Sequence, residues 1–106
     1  MSAKLEYGGG AIRVRFSGEI DHHAASLLRV SIDNAVAQKR PRVLILDFGA
    51  VSFMDSSGIG LVMGRYKLMQ TIGGTIRVEN LSPGAYKVMR LAGLDKLGVL
   101  KQKEVS

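Results

Sequence analysis

The most restrictive feature of the sequence is the apolar run RVLILDF at residues 42–48. It has the length of a strand, and a continuous apolar run is typical of a central strand that is covered on both faces. Upstream, AIRVRFSG at residues 11–18 alternates apolar and polar side chains, which predicts a strand with one solvated face. The two patterns together predict a sheet with a buried centre and a more exposed margin.

The segments around these strands alternate between strand-like and helical spacing. Asp21 and Ser82 stand where N-caps are expected, Pro83 suits a first helical position, and paired glycines follow the second helix. The predicted order is a strand at 4–7, a glycine turn at 8–10, the strand at 11–18, a helix over 21–38, the strand at 42–48, a helix from the paired serines to about Ile72, a strand at 75–80, a helix over 81–93, and a short last strand at 98–101.

This order predicts an α/β fold in one domain over residues 1–106. The sheet is expected to be mixed, with four to five strands: an antiparallel N-terminal hairpin, then parallel strands joined by flanking α-helices in right-handed crossovers. In such sheets the functional surface lies beyond the carboxyl ends of the parallel strands.

Composition limits the function. The chain has no cysteine, which excludes disulfides, zinc–thiolate sites and thiol catalysis and favours a reducing compartment. The first ten residues lack the apolar core of a signal peptide, and no apolar run approaches the roughly 18 residues of a membrane helix. We therefore expect a soluble cytoplasmic domain that does not contact a membrane.

The net charge of +6 invites a nucleic-acid partner. The cations are scattered, however, and the one cluster, QKRPR at 38–42, stands where a helix ends and cations complement its dipole. Aromatic residues, which stack on single-stranded bases, make up only 6% of the chain. A solvated surface explains the charge better, and we expect no nucleic acid to bind.

The segment FMDSSGIG at residues 53–60 follows the central strand and carries paired serines. Asp55 or Ser56 can cap the helix that begins here. Three glycines, Gly58, Gly60 and Gly64, lie inside the helical pattern, where each costs about 1 kcal/mol relative to alanine. Either close packing or room for another molecule to approach the serines explains them.

Catalytic patterns are missing from the sequence. Neither serine stands in the G-x-S-x-G arrangement of a nucleophile elbow, and no phosphate-binding G-x-x-x-x-G-K-[ST] loop is present. The only histidines, His22 and His23, are adjacent in the first turn of a helix, so their side chains diverge and make a poor metal site. We therefore predict a protein that is not an enzyme and that holds no metal and no cofactor.

A serine at a helix start is well suited to carry a phosphate. Phosphoserine brings a charge of about −1.5 to −2, which the N–H groups and positive end of the helix accept. A partner docked on the same surface would have to bury that charge beside Asp55, which is unfavourable. The segment therefore favours a binding surface that phosphorylation controls.

Four motifs stand in order along the chain: GEIDHH at 18–23, FMDSSGIG at 53–60, GRYK at 64–67 and IGG at 72–74. With them the sequence resembles the STAS-domain anti-sigma factor antagonists, especially the sporulation type of endospore-forming bacteria. The resemblance covers nearly the whole chain, and the paired DHH and MDSSG blocks are specific.

The resemblance implies that Ser56 is phosphorylated by an anti-sigma factor that is also a serine kinase and binds the ATP, and that a serine phosphatase reverses the reaction. The unphosphorylated protein would bind the anti-sigma factor and release the sigma factor. Asp21 would lie near the phosphoacceptor. The residues expected to bind the partner are Asp21, His22, Asp55, Ser56, Ser57, Gly58 and Gly60.

Two other functions stay open at this point. The same scaffold and serine serve in general stress signalling, although the DHH block favours sporulation. A small nucleotide- or nucleic-acid-binding domain is suggested by the charge alone.

Overall fold

The computed structural model describes residues 2–100, and its elements follow the predicted order. The strands are β1 (Ser2–Gly8), β2 (Ala11–Ile20), β3 (Val43–Met54) and β4 (Thr75–Glu79). The helices are α1 (His22–Lys39), α2 (Ser57–Thr71) and α3 (Pro83–Leu91), followed by a short 3-10 helix at Leu94–Leu97. Within this part of the chain, no helix is long and apolar enough to cross a membrane.

The four strands form one mixed sheet in the order β1-β2-β3-β4. Strands β1 and β2 pair antiparallel through a two-residue turn, whose Gly9 and Gly10 have φ of 59° and 78°, a conformation that glycine adopts without strain. Both β2–β3 and β3–β4 are parallel. The predicted mixed α/β fold is therefore confirmed. Of the predicted strand at 98–101, Leu100 forms a single bridge to Val78, and residue 101 lies outside the described residues.

The helices α1 and α2 cover one face of the sheet. The apolar stripe of α1 is buried, and so are the alternating apolar positions of β2 and the matching positions of β3. They belong to one apolar core, which includes Ile12, Val14, Phe16, Leu28, Ile32, Val36, Leu44, Leu46, Phe48 and Val62.

The opposite face of β3 is also buried, as predicted, but charged side chains cover it. Asp47 is only 5% exposed, and it accepts hydrogen bonds from Arg13 Nη1 and Asn80 Nδ2, both at 3.0 Å. Burial raises the pKa of Asp47, but its hydrogen bonds, together with the charge of Arg13, outweigh burial and hold the pKa below its usual range. Arg13 also lies 3.1 Å from Glu79, so this face is closed by a paired ionic network.

Strand β3 is longer than the apolar run predicted. It extends six residues past Phe48 to Met54, because the last residues of β2 continue to pair with it up to Ile20–Met54. Register shifts interrupt this pairing after Arg15 and after Gly18. The extension matters because it carries the chain directly to the paired serines.

Candidate functional site

Two aspartates follow the carboxyl ends of neighbouring strands. Asp21 comes directly after β2 and Asp55 directly after β3, and these strand ends lie opposite each other in parallel pairing. The backbone N–H of Asp55 donates to the carbonyl of Ile20 at 3.2 Å, so the two loops are bonded to each other. The starts of α1 and α2 therefore lie side by side at the edge where the sequence predicts the functional surface.

At the start of α1, Asp21 is the N-cap, as predicted. Its Oδ1 accepts a hydrogen bond from the backbone N–H of Ala24 at 2.8 Å, and its backbone is extended, as is usual for a cap. His22 and His23 occupy the first turn and are both exposed. Among residues 2–100, no three His, Asp or Glu side chains are grouped to hold a metal ion.

At the start of α2, Asp55 takes the capping role. Its Oδ1 accepts from the backbone N–H of Ser57 at 2.8 Å, and its carbonyl accepts from the N–H of Gly58 at 3.1 Å. Ser56 occupies the N-cap position, but its backbone is helical and its side chain makes no capping bond. Of the two caps that the sequence allowed, Asp55 is the one used, and the exposed Ser56 side chain is not needed for capping.

Ser56 faces a groove of about 470 Å³ between the end of β3, the start of α2 and helix α3. We call it the apolar groove, because most of its lining is apolar. Two of its large apolar side chains are unusually open to solvent, Phe53 at 55% and Val88 at 50% exposure. The lining consists of Phe48, Val51, Ser52, Phe53, Met54, Asp55, Ser56, Ile59, Ser82, Gly84, Ala85 and Val88.

Ser57 faces a second groove, of about 230 Å³, between α1 and α2. We call it the cationic groove, because two arginines and no carboxylate line it. The two serines therefore open into different grooves, as expected for consecutive helical residues that project about 100° apart. The lining consists of His22, Ala25, Ser26, Arg29, Ser57, Gly60, Leu61 and Arg65.

The glycines of α2 have different reasons to be glycine. A Cβ atom on Gly58 would lie 2.1 Å from the sulfur and 2.5 Å from the Cγ of Met54, so close packing explains this position. Gly58 is also buried, so any influence on a partner is indirect. A Cβ on Gly60 or Gly64 would meet nothing within 4 Å, and close packing is therefore the wrong explanation for both. Gly60 is exposed in the cationic groove, which leaves room for another group.

Sequence reasoning missed the arginines of the cationic groove and the apolar residues of α3. A signal for Arg29 was present: His22, Ser26 and Arg29 are spaced i, i+4 and i+7, which places them on one face of α1. No local signal marks Val88 as a neighbour of Ser56, because only the packing of α3 brings them to one groove.

A family model described as STAS domain matches residues 3–105, so the chain belongs to the STAS domain family. Among curated relatives, the anti-sigma F factor antagonist of Paenibacillus polymyxa is 33% identical over 106 residues, which cover 100% of this chain and 91% of the relative. The anti-sigma-B factor antagonist of Bacillus subtilis (strain 168) is 34% identical over 84 residues, 78% of this chain and 74% of the relative.

Solved structures agree with the curated relatives. The anti-sigma factor antagonist SpoIIAA in its unphosphorylated form superposes with a TM-score of 0.84 at 34% identity, covering 97% of this chain and 89% of that one. The Bacillus cell fate determinant SpoIIAA in the phosphorylated form gives 0.78 at 34% identity, with 97% and 92% covered. The resemblance to STAS-domain anti-sigma factor antagonists is thus confirmed.

Proposed function

We propose that this protein is an anti-sigma factor antagonist whose binding activity is switched off by phosphorylation of Ser56. One observation carries the choice of residue: Ser56 is exposed at the helix start, and Asp55 performs the capping that would otherwise occupy its hydroxyl. A kinase can therefore modify Ser56 without removing a bond that the fold requires.

The family comparisons support the proposal. The relatives that match the chain over most of its length are antagonists of anti-sigma factors, and SpoIIAA exists in unphosphorylated and phosphorylated forms. In our proposal the partner is an anti-sigma factor that is also the serine kinase and binds the ATP, and a separate serine phosphatase restores the active form. The protein itself is a substrate and a binding module, not an enzyme.

The apolar groove supplies a physical reason for the switch. Phe53 and Val88 offer exposed apolar surface beside Ser56, which suits a partner that buries this region. Phosphate on Ser56 adds a charge of about −1.5 to −2 to the groove that these side chains line, next in the chain to Asp55. The helix start tolerates that charge, but a docked partner would have to desolvate it, which is costly.

We propose that the partner contact spans the starts of both helices. Asp21 and His22 belong to it at the start of α1, together with Asp55, Ser56, Ser57 and Gly60 at the start of α2, and Gly58 shapes it through Met54. Because Asp55 is bonded to the β2 end, a partner that covers Ser56 reaches Asp21 without a change of the fold.

A second candidate is the same role in a general stress pathway. The similarity to the anti-sigma-B factor antagonist of B. subtilis favours it. The match to the P. polymyxa anti-sigma F factor antagonist covers more of the chain, and we therefore prefer the sporulation role. Titration of the protein against an anti-sigma F factor and an anti-sigma B factor distinguishes the two roles, because the tighter complex identifies the pathway.

The direct experiment is incubation with an anti-sigma factor kinase and ATP, followed by mapping of the phosphate by mass spectrometry. We expect one phosphate, on Ser56. Ser56→Ala should abolish incorporation, whereas the matched Ser57→Ala should retain it, since one kinase pose reaches only one of two diverging side chains. Phosphate found mainly on Ser57 contradicts the assignment.

A further inference from the structure

The cationic groove is lined by a buried arginine, Arg65, whose hydrogen bonds are incomplete. Arg65 is only 5% exposed, and neither its Nε nor its Nη1 has a hydrogen-bond partner among residues 2–100. Asp33 Oδ1 lies 2.9 Å from Nε, but it too lacks a bond of acceptable geometry. Arg65 is therefore ion-paired with Asp33, and its Nε and Nη1 are too deeply buried to meet a ligand, so a further acceptor would reach only the part of Arg65 that lines the groove.

A second cation faces the same groove. Arg29 is exposed on α1, and its positive charge repels that of Arg65. Burial is the main cause that lowers the pKa of Arg65, Asp33 partly offsets it, and Arg29 lowers it further. Because Asp33 neutralises only one of the two guanidinium groups, the groove keeps a net positive charge.

The remaining lining suits a small polar ligand. Ser57 stands in the first turn of α2, where the helix dipole favours negative charge, and His22 lies on the opposite wall. Ser26 uses its hydroxyl as a donor to the carbonyl of His22 at 3.1 Å. Gly60 leaves open space where a side chain would stand.

We propose that the cationic groove binds a single oxyanion, either a phosphate group or a carboxylate, between Arg29, Arg65 and Ser57. The ligand would place a negative charge between the two guanidinium groups and relieve the repulsion between Arg29 and Arg65. This site is separate from Ser56, which faces the apolar groove, and the inference does not depend on phosphorylation.

The test uses the protein alone, without kinase or nucleotide. Inorganic phosphate and, separately, acetate are titrated at constant ionic strength while the backbone amides of Ser57 and Gly60 and the Nε–H of Arg65 are followed by NMR. Saturable shifts at these positions are expected with at least one anion. Saturation by phosphate alone identifies a phosphate site. Saturation by acetate means that the groove also accepts the carboxylates of acidic side chains.

Matched variants distinguish binding at a defined site from non-specific attraction of anions to a positively charged protein. Arg29→Ala should weaken the apparent affinity about tenfold, whereas Arg90→Ala, which removes an exposed arginine from α3, should leave it unchanged. Gly60→Asp, which puts a carboxylate into the open space of the groove, should abolish saturation. Shifts that never saturate with either anion, or that weaken equally in Arg29→Ala and Arg90→Ala, would overturn the proposal, whatever the outcome of the Ser56 experiment.

Discussion

The two sides of the α2 start differ in chemistry although consecutive serines face them. On the Ser56 side the groove is lined mainly by apolar side chains, with Phe53 and Val88 open to solvent. On the Ser57 side it is lined by Arg29 and Arg65. A phosphate would be accommodated by the second environment and would be disruptive in a contact built on the first. This difference is the reason that we propose Ser56, and not Ser57, as the switch residue.

The largest expected effect comes from placing a charge in the apolar groove. Val88→Asp should weaken anti-sigma factor binding about 30-fold or more, because a carboxylate would have to be desolvated in the contact. Calorimetric titration measures this. Val30→Asp is the matched control, since Val30 on α1 is similarly exposed at 56% and lies in neither groove. Equal losses in the two variants would mean that the apolar groove is not the docking surface.

A smaller effect, on the free energy of unfolding, distinguishes the two glycines of the α2 start, Gly58 and Gly60. Gly58→Ala should lower the free energy of unfolding by about 1 kcal/mol, since overlap with Met54 outweighs the gain in helix propensity. Gly60→Ala should raise it by up to about 1 kcal/mol, because a methyl group there meets nothing. Urea denaturation of both variants gives the comparison, and changes of the same sign would refute the packing difference.

The smallest difference concerns the cap. Asp55→Ala should destabilise the fold by about 1 kcal/mol, because it removes the acceptor for the Ser57 N–H. Ser56→Ala should leave stability nearly unchanged, because the Ser56 side chain caps nothing. Thermal melting of the Asp55→Ala and Ser56→Ala variants measures this difference in stability. If Ser56→Ala costs as much as Asp55→Ala, the hydroxyl is engaged and is not free for a kinase.

Local signals predicted much of this region. Caps such as Asp21 and Ser82 depend on residues three positions apart, so the sequence contains them, and Ser82 accepts from the N–H of Ala85 as expected. The end of β3 at Met54 was not predictable from the apolar run, because pairing with β2 determines it. The ion pair of Arg65 needs Asp33 from another helix, and the apolar groove depends on where α3 packs. Such contacts between distant segments produce no periodic pattern in the sequence.

We propose that negative charge at Ser56, and not merely near the helix start, breaks the complex. Full switching from mostly bound to mostly free requires about 5.5 kcal/mol, which an exposed surface charge does not provide. The proposed switch therefore requires that the partner buries Ser56 in the contact. Ser57→Asp adds the same charge one residue away, where Arg29 and Arg65 can accommodate it.

The most direct measurement is calorimetric titration of the anti-sigma factor with wild type, Ser56→Asp and Ser57→Asp at one fixed nucleotide concentration, with melting curves for each. We expect Ser56→Asp to weaken binding at least about tenfold and to melt near the wild-type temperature. Ser57→Asp should lose far less. Wild-type affinity in Ser56→Asp, or equal losses in the two variants, would contradict the account.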